Sequence, residues 1–425
     1  MTLSTLLDNR LTYIASGVGY TGLTFSECLD DNDLNAWIHI QLAKMQTDPS
    51  HNFGLLYNAW QEKGFGAAIL PFKKNLALIE SDSGGLQAIT QGKVFNDNDK
   101  EKIYKNQGTY SDFAMSFDEI PLKFSGGKST RLDLSNRWYT EDMLEPSARL
   151  TGKNIKNQIE CFIKNKSKTK PVFIMQGNCY DSYMRWADYA LDEIPKEFHE
   201  FIGGVAMGAA ALGHGSLEDI KRAFIYTQLP DVLLKPNHLH LLAVGSVSRL
   251  IPNLIFMKSG LYKNLHLTYD STTHTSGIQM GRYYVNNNNL LFTRNHDVVI
   301  WDQIFESCRR FGLDDFDSKK FYNALNCSST KVYEETFGSR NDVIKCRLAA
   351  TFGSISNFTS HVNECLTNDA SMWQLAGKRD MINAFRNLLV VKNLDDFNYW
   401  ERNVGKYVTS KPVPNTQPTS LEDFF

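Results

Sequence analysis

Short apolar runs ending in a small or polar residue recur through the first two thirds of the chain. They read AAILPF (67–72), NLALIESD (75–82), FAMSFDEIP (113–121), PVFIMQG (171–177), FIGGVAMG (201–208), HLHLLAVGS (238–246) and LHLTYDST (265–272). Near-continuous apolar runs of this length predict strands covered on both faces, as in a parallel sheet. Helical patterns lie between them. SYMRWADYALDEI spaces Met184, Ala187, Tyr189, Ala190 and Ile194 at roughly helical intervals, and Ser216 precedes Glu218 and Asp219 as an N-cap before an acidic first turn.

Repeated strand-then-helix units fit an α/β fold, either a (β/α)8 TIM-type barrel or a doubly wound sheet. A doubly wound sheet gathers its ligand contacts at one switch point, whereas a barrel spreads them over the ends of several strands. Here Asp82, Asp118, Gln176, Gly203-Gly204 and Asp270 each follow a different run, which favours the barrel. Beyond residue 300 the pattern turns helical and charged, and the end TSKPVPNTQPTSLEDFF is rich in Pro, Ser and Thr. The expected organisation is a barrel over 1–300 carrying the catalytic site, a helical C-terminal appendage over 301–408 and a flexible tail over 409–425.

Composition narrows the classes. With 42% hydrophobic and 22% charged residues the chain is expected to be folded and water-soluble, and no segment approaches the apolar length of a bilayer span. A cytoplasmic protein without a membrane partner follows. Seven cysteines without a CxxC argue against a disulfide framework. The net charge of −2 offers no overall attraction to nucleic acid, so such a partner must meet a local surface. The densest basic run, Lys153 to Lys170, is explained better by a solvated helix face and loop than by phosphate contacts.

The stretch ESDSGGLQ (80–87) puts a carboxylate at a strand end and bare backbone beside it. It fits either a pocket floor or a turn in which Asp82 caps the next element. Asp118, Gln176 and exposed backbone N–H groups at Gly203 and Gly204 together match the donor and acceptor edge of a guanine-like base. Asp270, late in the barrel order, is placed to attack or stabilise a sugar carbon. Two separated carboxylates and a base pocket suggest displacement at a glycosidic carbon. The histidines His238, His240, His266 and His274 lie near strand ends and raise a metal barrel as another reading, with His274 the best placed for chemistry; satisfied structural histidines are the commoner case.

These pieces resemble the tRNA-guanine transglycosylase superfamily, through DSGGLQ (82–87), SFDEIP (116–121), MQGNCYDSYMR (175–185), IGGVAMG (202–208), KPNHLHLLAVGS (235–246) and YDST (269–272). The resemblance spans roughly residues 50 to 280. It implies a pentosyltransferase in which Asp270 is the nucleophile at C1′ and Asp82 the general acid/base. It further implies a base-binding shell of Ser83, Gly84, Asp118, Gln176, Gly203, Gly204 and Val205, and an incoming 7-deazaguanine. Several positions depart from the family. Leu86 stands where an aromatic stacks on the base, so another apolar wall is needed, and Ala209 stands where a glutamate supports an aminomethyl base. A 7-cyano-7-deazaguanine fits better. The arginines that read the anticodon loop are replaced by STTHTSG (271–277). The family's CxCxxC zinc element is absent, leaving Cys327, Cys346, His361 and Cys365 as weak candidate ligands, so no cofactor is required. Kept chemistry with changed polymer recognition resembles the DNA-guanine transglycosylase branch of bacteria and phage. The expected polymer is therefore DNA, with tRNA, or a non-catalytic nucleic-acid-binding subunit, as the alternatives. A homodimer or a helper protein that opens a duplex stays open.

Overall fold

The structure, a computed structural model, describes residues 10–16, 31–47, 53–61, 64–85, 91–126, 132–208, 211–275, 282–285, 289–292, 306, 309–311, 340–376, 379–408 and 410–412. Eight parallel strands close into a barrel: β1 (Arg10–Ala15), β2 (Phe53–Asn58), β3 (Ile79–Asp82), β4 (Phe113–Met115), β5 (Lys170–Met175), β6 (Gly204–Met207), β7 (His238–Leu241) and β8 (His266–Ser271). Each pairs with its neighbours in sequence order, and β1 closes the ring on β8 with Tyr13 beside Tyr269 and Ile14 beside Asp270. The fold is a (β/α)8 barrel with a helical C-terminal part, as the sequence pattern predicts.

Strand alternation sorts the core into two layers. Ile14, Leu56, Leu78, Met115, Val172, Ile174 and Ala206 form a cluster of their own, the filling of the barrel. Tyr13, Leu55, Ile79, Ala114, Phe173, Val205, Leu239 and Tyr269 belong to the larger cluster under the surrounding helices. By the same parity Glu80 and Asp82, His238 and His240, and Thr268 and Asp270 face the interior. Contacts across the lumen agree with this, since β3 and β7 stand opposite each other in the ring and His240 nonetheless lies 2.6 Å from Glu80.

The helices follow from caps and apolar stripes. Helix α1 (Asn32–Gln46) starts where the Asp31 carboxylate accepts the Leu34 N–H at 2.9 Å, and buries Leu34, Ile38, Leu42 and Met45 at intervals of three or four. Next come α2 (Phe65–Ile69), α3 (Asp97–Tyr110), α4 (Leu144–Lys164), α5 (Tyr180–Leu191), α6 (Ser216–Tyr226) and α7 (Val247–Ser259). Helix α6 begins at Ser216 with Gly215 in the cap position, one residue earlier than the sequence suggests.

Three expectations change. AAILPF is not a strand: Phe65–Ile69 is helical and Leu70–Asn75 a tight 3-10 segment, because Pro71 has no N–H for a ladder while Leu70 stays exposed. The second strand is instead the preceding FGLLYN, and the first lies in LTYIA near the N-terminus. The barrel also does not end at 300. Helix α8 (Arg340–Thr367) packs against α7, α1 and β1, and its Phe358 covers the outward rings of Tyr13 and Tyr269 at 5.3 and 6.0 Å. It is the eighth helix of the barrel, reached through a hairpin of 282–285 with 289–292. The appendage is thus α9 (Asp369–Ala376), α10 (Arg379–Leu388) and α11 (Leu394–Asn403), laid over α6 and α7 with Phe397 stacked on Phe224 at 4.0 Å. Within the expected tail, Ser410–Pro412 pairs with Gly213–Gly215, so these ladder bonds tie the chain to the barrel; 413–425 lies outside the described residues. Among the described residues no helix is long and apolar enough to cross a membrane.

Candidate active site

Parity and strand length together bring Asp82, Gln176 and Asp270 to the carboxyl-terminal mouth of the barrel. Asp82 ends β3, Asp270 is the penultimate residue of β8, and Gln176 directly follows β5. Asp118 sits three residues past β4 on a loop tied down on both sides: Asn154 of α4 donates to the Phe117 carbonyl at 3.1 Å, and the Glu119 N–H donates to Thr151 Oγ1 at 2.9 Å. Gln176 Nε2 then donates to Asp118 Oδ2 at 2.7 Å. The amide's other end, Oε1, is buried without a hydrogen-bond partner among the described residues. A buried orphan acceptor is expensive unless a ligand's donor meets it.

The glycine turn fits against this pair. Gly84 has φ +84° and a Cβ there would lie 2.7 Å from Asn58 Oδ1, so a side chain is excluded by conformation and by space. Ser83 Oγ donates to the Ser116 carbonyl at 3.2 Å and accepts the Gly85 N–H at 3.3 Å, which fastens the turn to the Asp118 loop. Leu86 lies outside the described residues. An aromatic cluster stands beside the glycine turn: Trp60 packs edge-on against Phe95 at 5.0 Å, and Phe95 against Phe117 at 5.0 Å, with Trp60 and Phe95 half-buried.

Behind Asp270 stands a charged network that the sequence reading missed. His240 Nε2 lies 3.3 Å from Asp270 Oδ1, and its Nδ1 lies 2.6 Å from Glu80 Oε2 and 2.9 Å from Thr268 Oγ1. His238 Nε2 meets the same Thr268 hydroxyl at 3.0 Å and Glu80 at 3.5 Å. Glu80 and His240 are completely buried, and neither Glu80 oxygen receives a well-directed hydrogen bond, so charge rather than direction holds the carboxylate. The Ala243 N–H donates to Asp270 Oδ1 at 2.7 Å from a backbone with φ +58°, and Arg249 Nη1 clamps the Ala243 carbonyl at 2.7 Å. An alanine in the left-handed region is a strained feature held by its surroundings.

Two carboxyl groups at the mouth have their proton affinity raised. Burial pushes Asp82 up to about 6; the Gly84 and Ser83 N–H groups oppose this and the charge of Asp270 adds to it. Burial pushes Asp118 up to about 7, against the Gln176 hydrogen bond and with the charges of Asp82 and Glu119. For His240, burial disfavours the cation, but Glu80 and Asp270 outweigh it and hold the imidazolium to about 10. Glu80 is likewise held far below the usual carboxylate range, because the two imidazoles overcome its burial. Carboxyl groups with raised proton affinity in a cleft mark a candidate functional site.

Three of the expected shell members stand elsewhere. Gly203 and Gly204 open β6 instead of closing it: the Gly203 N–H donates to the Pro171 carbonyl, Gly204 pairs with Val172, and a Cβ on Gly204 would meet the His238 ring at 2.7 Å. They lie at the amino-terminal end, about 10 Å of strand from the mouth. Val205 is wholly buried in the outer layer. The apolar run FIGGVAMG does not reveal where its strand begins; the residues at the mouth are Met207 and Gly208, and Ala209 lies outside the described residues.

His274 is buried beneath α8 among Tyr13, Tyr284 and Phe358, and burial pushes it down to about 3. Of the zinc candidates, Cys327 lies outside the described residues and the Cys346 side chain is not described, while His361 bonds the Tyr284 hydroxyl and burial pushes the Cys365 thiol up to about 12. Among the described residues no group of three or more ligand side chains could hold a metal. The basic run behaves as a solvated face: Lys156 pairs with Glu160 and Lys164 with Glu101, and Lys170 opens β5 at the end away from the mouth.

Gly245 marks how closely the loops after β7 and β8 meet. A Cβ there would lie 2.2 Å from Ser271 Oγ, next to Asp270. Gly245→Ala is expected to displace Ser271 and the adjoining Asp270, with a stability loss of about 1–3 kcal/mol. A denaturant titration checks this, and unchanged stability would show that the two loops move independently.

No family model and no curated protein sequence matches the chain.

Proposed function

We propose that the protein is a base-exchange transglycosylase, replacing guanine in a nucleic acid, DNA before tRNA, by a 7-deazaguanine through a covalent sugar ester on Asp270. The observation that carries the reading is the mouth itself. One carboxylate, Asp270, is fixed by two donors, and a second, Asp82, has its proton affinity raised to about 6. A third, Asp118, is paired to an amide whose buried acceptor awaits a donor. A guanine edge supplies N1–H and amine donors for a carboxylate and an amide oxygen. The resemblance set out from the sequence motifs agrees with these roles.

In the reaction so read, Asp270 Oδ2 bonds to C1′ as the C1′–N9 bond breaks, and the bond's electron pair leaves with the base. The protonated Asp82 carboxyl returns a proton to that base. The incoming base then gives its N–H proton to the Asp82 carboxylate, attacks C1′ and releases Asp270. The target nucleotide must be turned out of its stack to enter the mouth.

The Trp60–Phe95 pair serves as the stacking wall. Phe95→Ala is expected to raise KM for the free base about tenfold while leaving kcat within about threefold, since stacking on one aromatic ring contributes about 1–3 kcal/mol; an unchanged KM would place the base elsewhere.

The deciding experiment is exchange of radiolabelled guanine or 7-cyano-7-deazaguanine into DNA and, in parallel, into bulk tRNA by the purified protein. Label in DNA alone supports the full reading, and label in tRNA alone keeps the chemistry and replaces the polymer. Label in neither, with no protein–nucleic acid adduct, overturns it.

A further inference from the structure

We propose that His240 is a positioning residue for Asp270, held charged by Glu80 across the barrel, and that it selects which Asp270 oxygen attacks. This rests on the transglycosylase reading and goes beyond it, because the resemblance assigns no role to Glu80 or to His240. The geometry is directional. His240 Nε2 and the Ala243 N–H both meet Oδ1 of Asp270, at 3.3 and 2.7 Å. Two donors on one oxygen turn the carboxylate and leave Oδ2 to meet the sugar.

Glu80 has no other evident task. It stands two residues before Asp82 on β3, wholly buried, with Leu56 and Phe113 as its register partners on the neighbouring strands. A carboxylate buried among apolar neighbours destabilises a fold unless a cation compensates it, and here the cation in contact is the imidazole that also touches Asp270. The groups facing His240 are Glu80 and Asp82 from β3, His238 from β7, and Thr268 and Asp270 from β8, with His266 stacked on His238 at 5.3 Å. The negative charges in contact outweigh the burial, so His240 keeps its proton through neutral pH. When the sugar ester forms, Asp270 loses its charge while the imidazolium stays; when the ester is cleaved, the imidazolium is already in place to receive the returning carboxylate. Preorganised charge of this kind needs no rearrangement during the reaction.

The test uses His240→Gln, Glu80→Gln and the double variant in the full-length protein, with base exchange on the polymer found active and 15N-edited NMR of the histidine rings. His240→Gln is expected to lose about a hundredfold in kcat, with KM for base and polymer within about threefold of wild type. Since His240→Gln alone leaves Glu80 uncompensated and can fold poorly, the double variant removes both charges; it is expected to melt like wild type and to be as slow as His240→Gln. Glu80→Gln is expected to keep most of its activity at pH 6 but to lose it as pH rises, because the His240 ring then titrates at least about one unit lower. Wild-type kcat in the double variant, or a Glu80→Gln pH profile superimposed on that of wild type, overturns the inference. Failure of the transglycosylase reading shows itself differently, as absence of adduct and exchange in the wild-type protein. Even then, a His240 ring that is neutral at pH 7 in the wild-type protein overturns the charge coupling proposed here.

Discussion

Asp270→Ala protein is expected to form no adduct with a guanine-containing nucleic acid and to exchange base at least about 10⁴-fold more slowly than wild type, as for loss of other catalytic nucleophiles. The substitution removes the mouth carboxylate that His240 and the Ala243 N–H both hold. A structural role for Asp270 makes a different prediction. The side chain is buried against His240, so truncation takes away one of the two anions that hold the imidazolium and lowers the melting temperature, but an adduct with some other residue would persist. Denaturing gel electrophoresis after incubation with labelled DNA or tRNA separates the cases, since the ester survives denaturation and a non-covalent complex does not. Asp270→Asn sharpens the result: it keeps shape and packing, so a folded, inactive, adduct-free variant assigns the nucleophile with no appeal to stability.

How much of this site was legible in the sequence depended on strand ends and parity. Asp82 and Asp270 could be placed at the mouth because each lies at the end of an apolar run. Glu80 shares Asp82's face two residues earlier, and HLH places His240 two residues beyond His238, so alternation alone sets both inside the barrel. What alternation does not give is stagger: that Glu80 and His240 meet at one level follows only from the closed ring, with β3 opposite β7. Gly203 and Gly204 failed for the same reason in reverse. Their run is apolar throughout, so nothing local marks which end is the mouth, and the start of β6 is fixed by ladder bonds to β5. Strands β1 and β2 were missed because the apolar part of the first follows the polar and charged DNR and the second follows the polar DPSHN and carries Gly54. Helix α8 was assigned to the appendage because the chain between it and β8 is long; its place in the ring comes from Phe358 sealing Tyr13 and Tyr269. Sequence separation hides a barrel helix that packing identifies at once.

Asp118→Asn is expected to separate binding from stability in opposite directions. Asp118 carries a proton affinity raised to about 7, chiefly by burial, and its partner Gln176 already donates to it. An acid whose folded pKa lies above its unfolded one binds its proton more tightly when folded. Its ionisation therefore favours folding least at high pH, and stability from this group falls as pH rises from about 4 to about 7 and stays low above. An asparagine cannot ionise, so the variant should melt higher than wild type at pH 8 and differ little at pH 4. The guanine edge needs the ionised form, because its N1–H and amine donate and a protonated carboxyl or an amide NH2 presents a donor in return. Wild-type KM for free guanine should rise as pH drops below about 7, by up to tenfold per unit, while the variant shows a high KM with no such slope, a loss of about 2–4 kcal/mol in binding. Exchange assays from pH 5.5 to 8.5 beside thermal melts check both halves. A variant that melts lower at pH 8 and keeps wild-type KM would make Asp118 a structural partner of Gln176. A higher melting temperature bought with base recognition would mark it as a carboxylate kept at some cost to the fold.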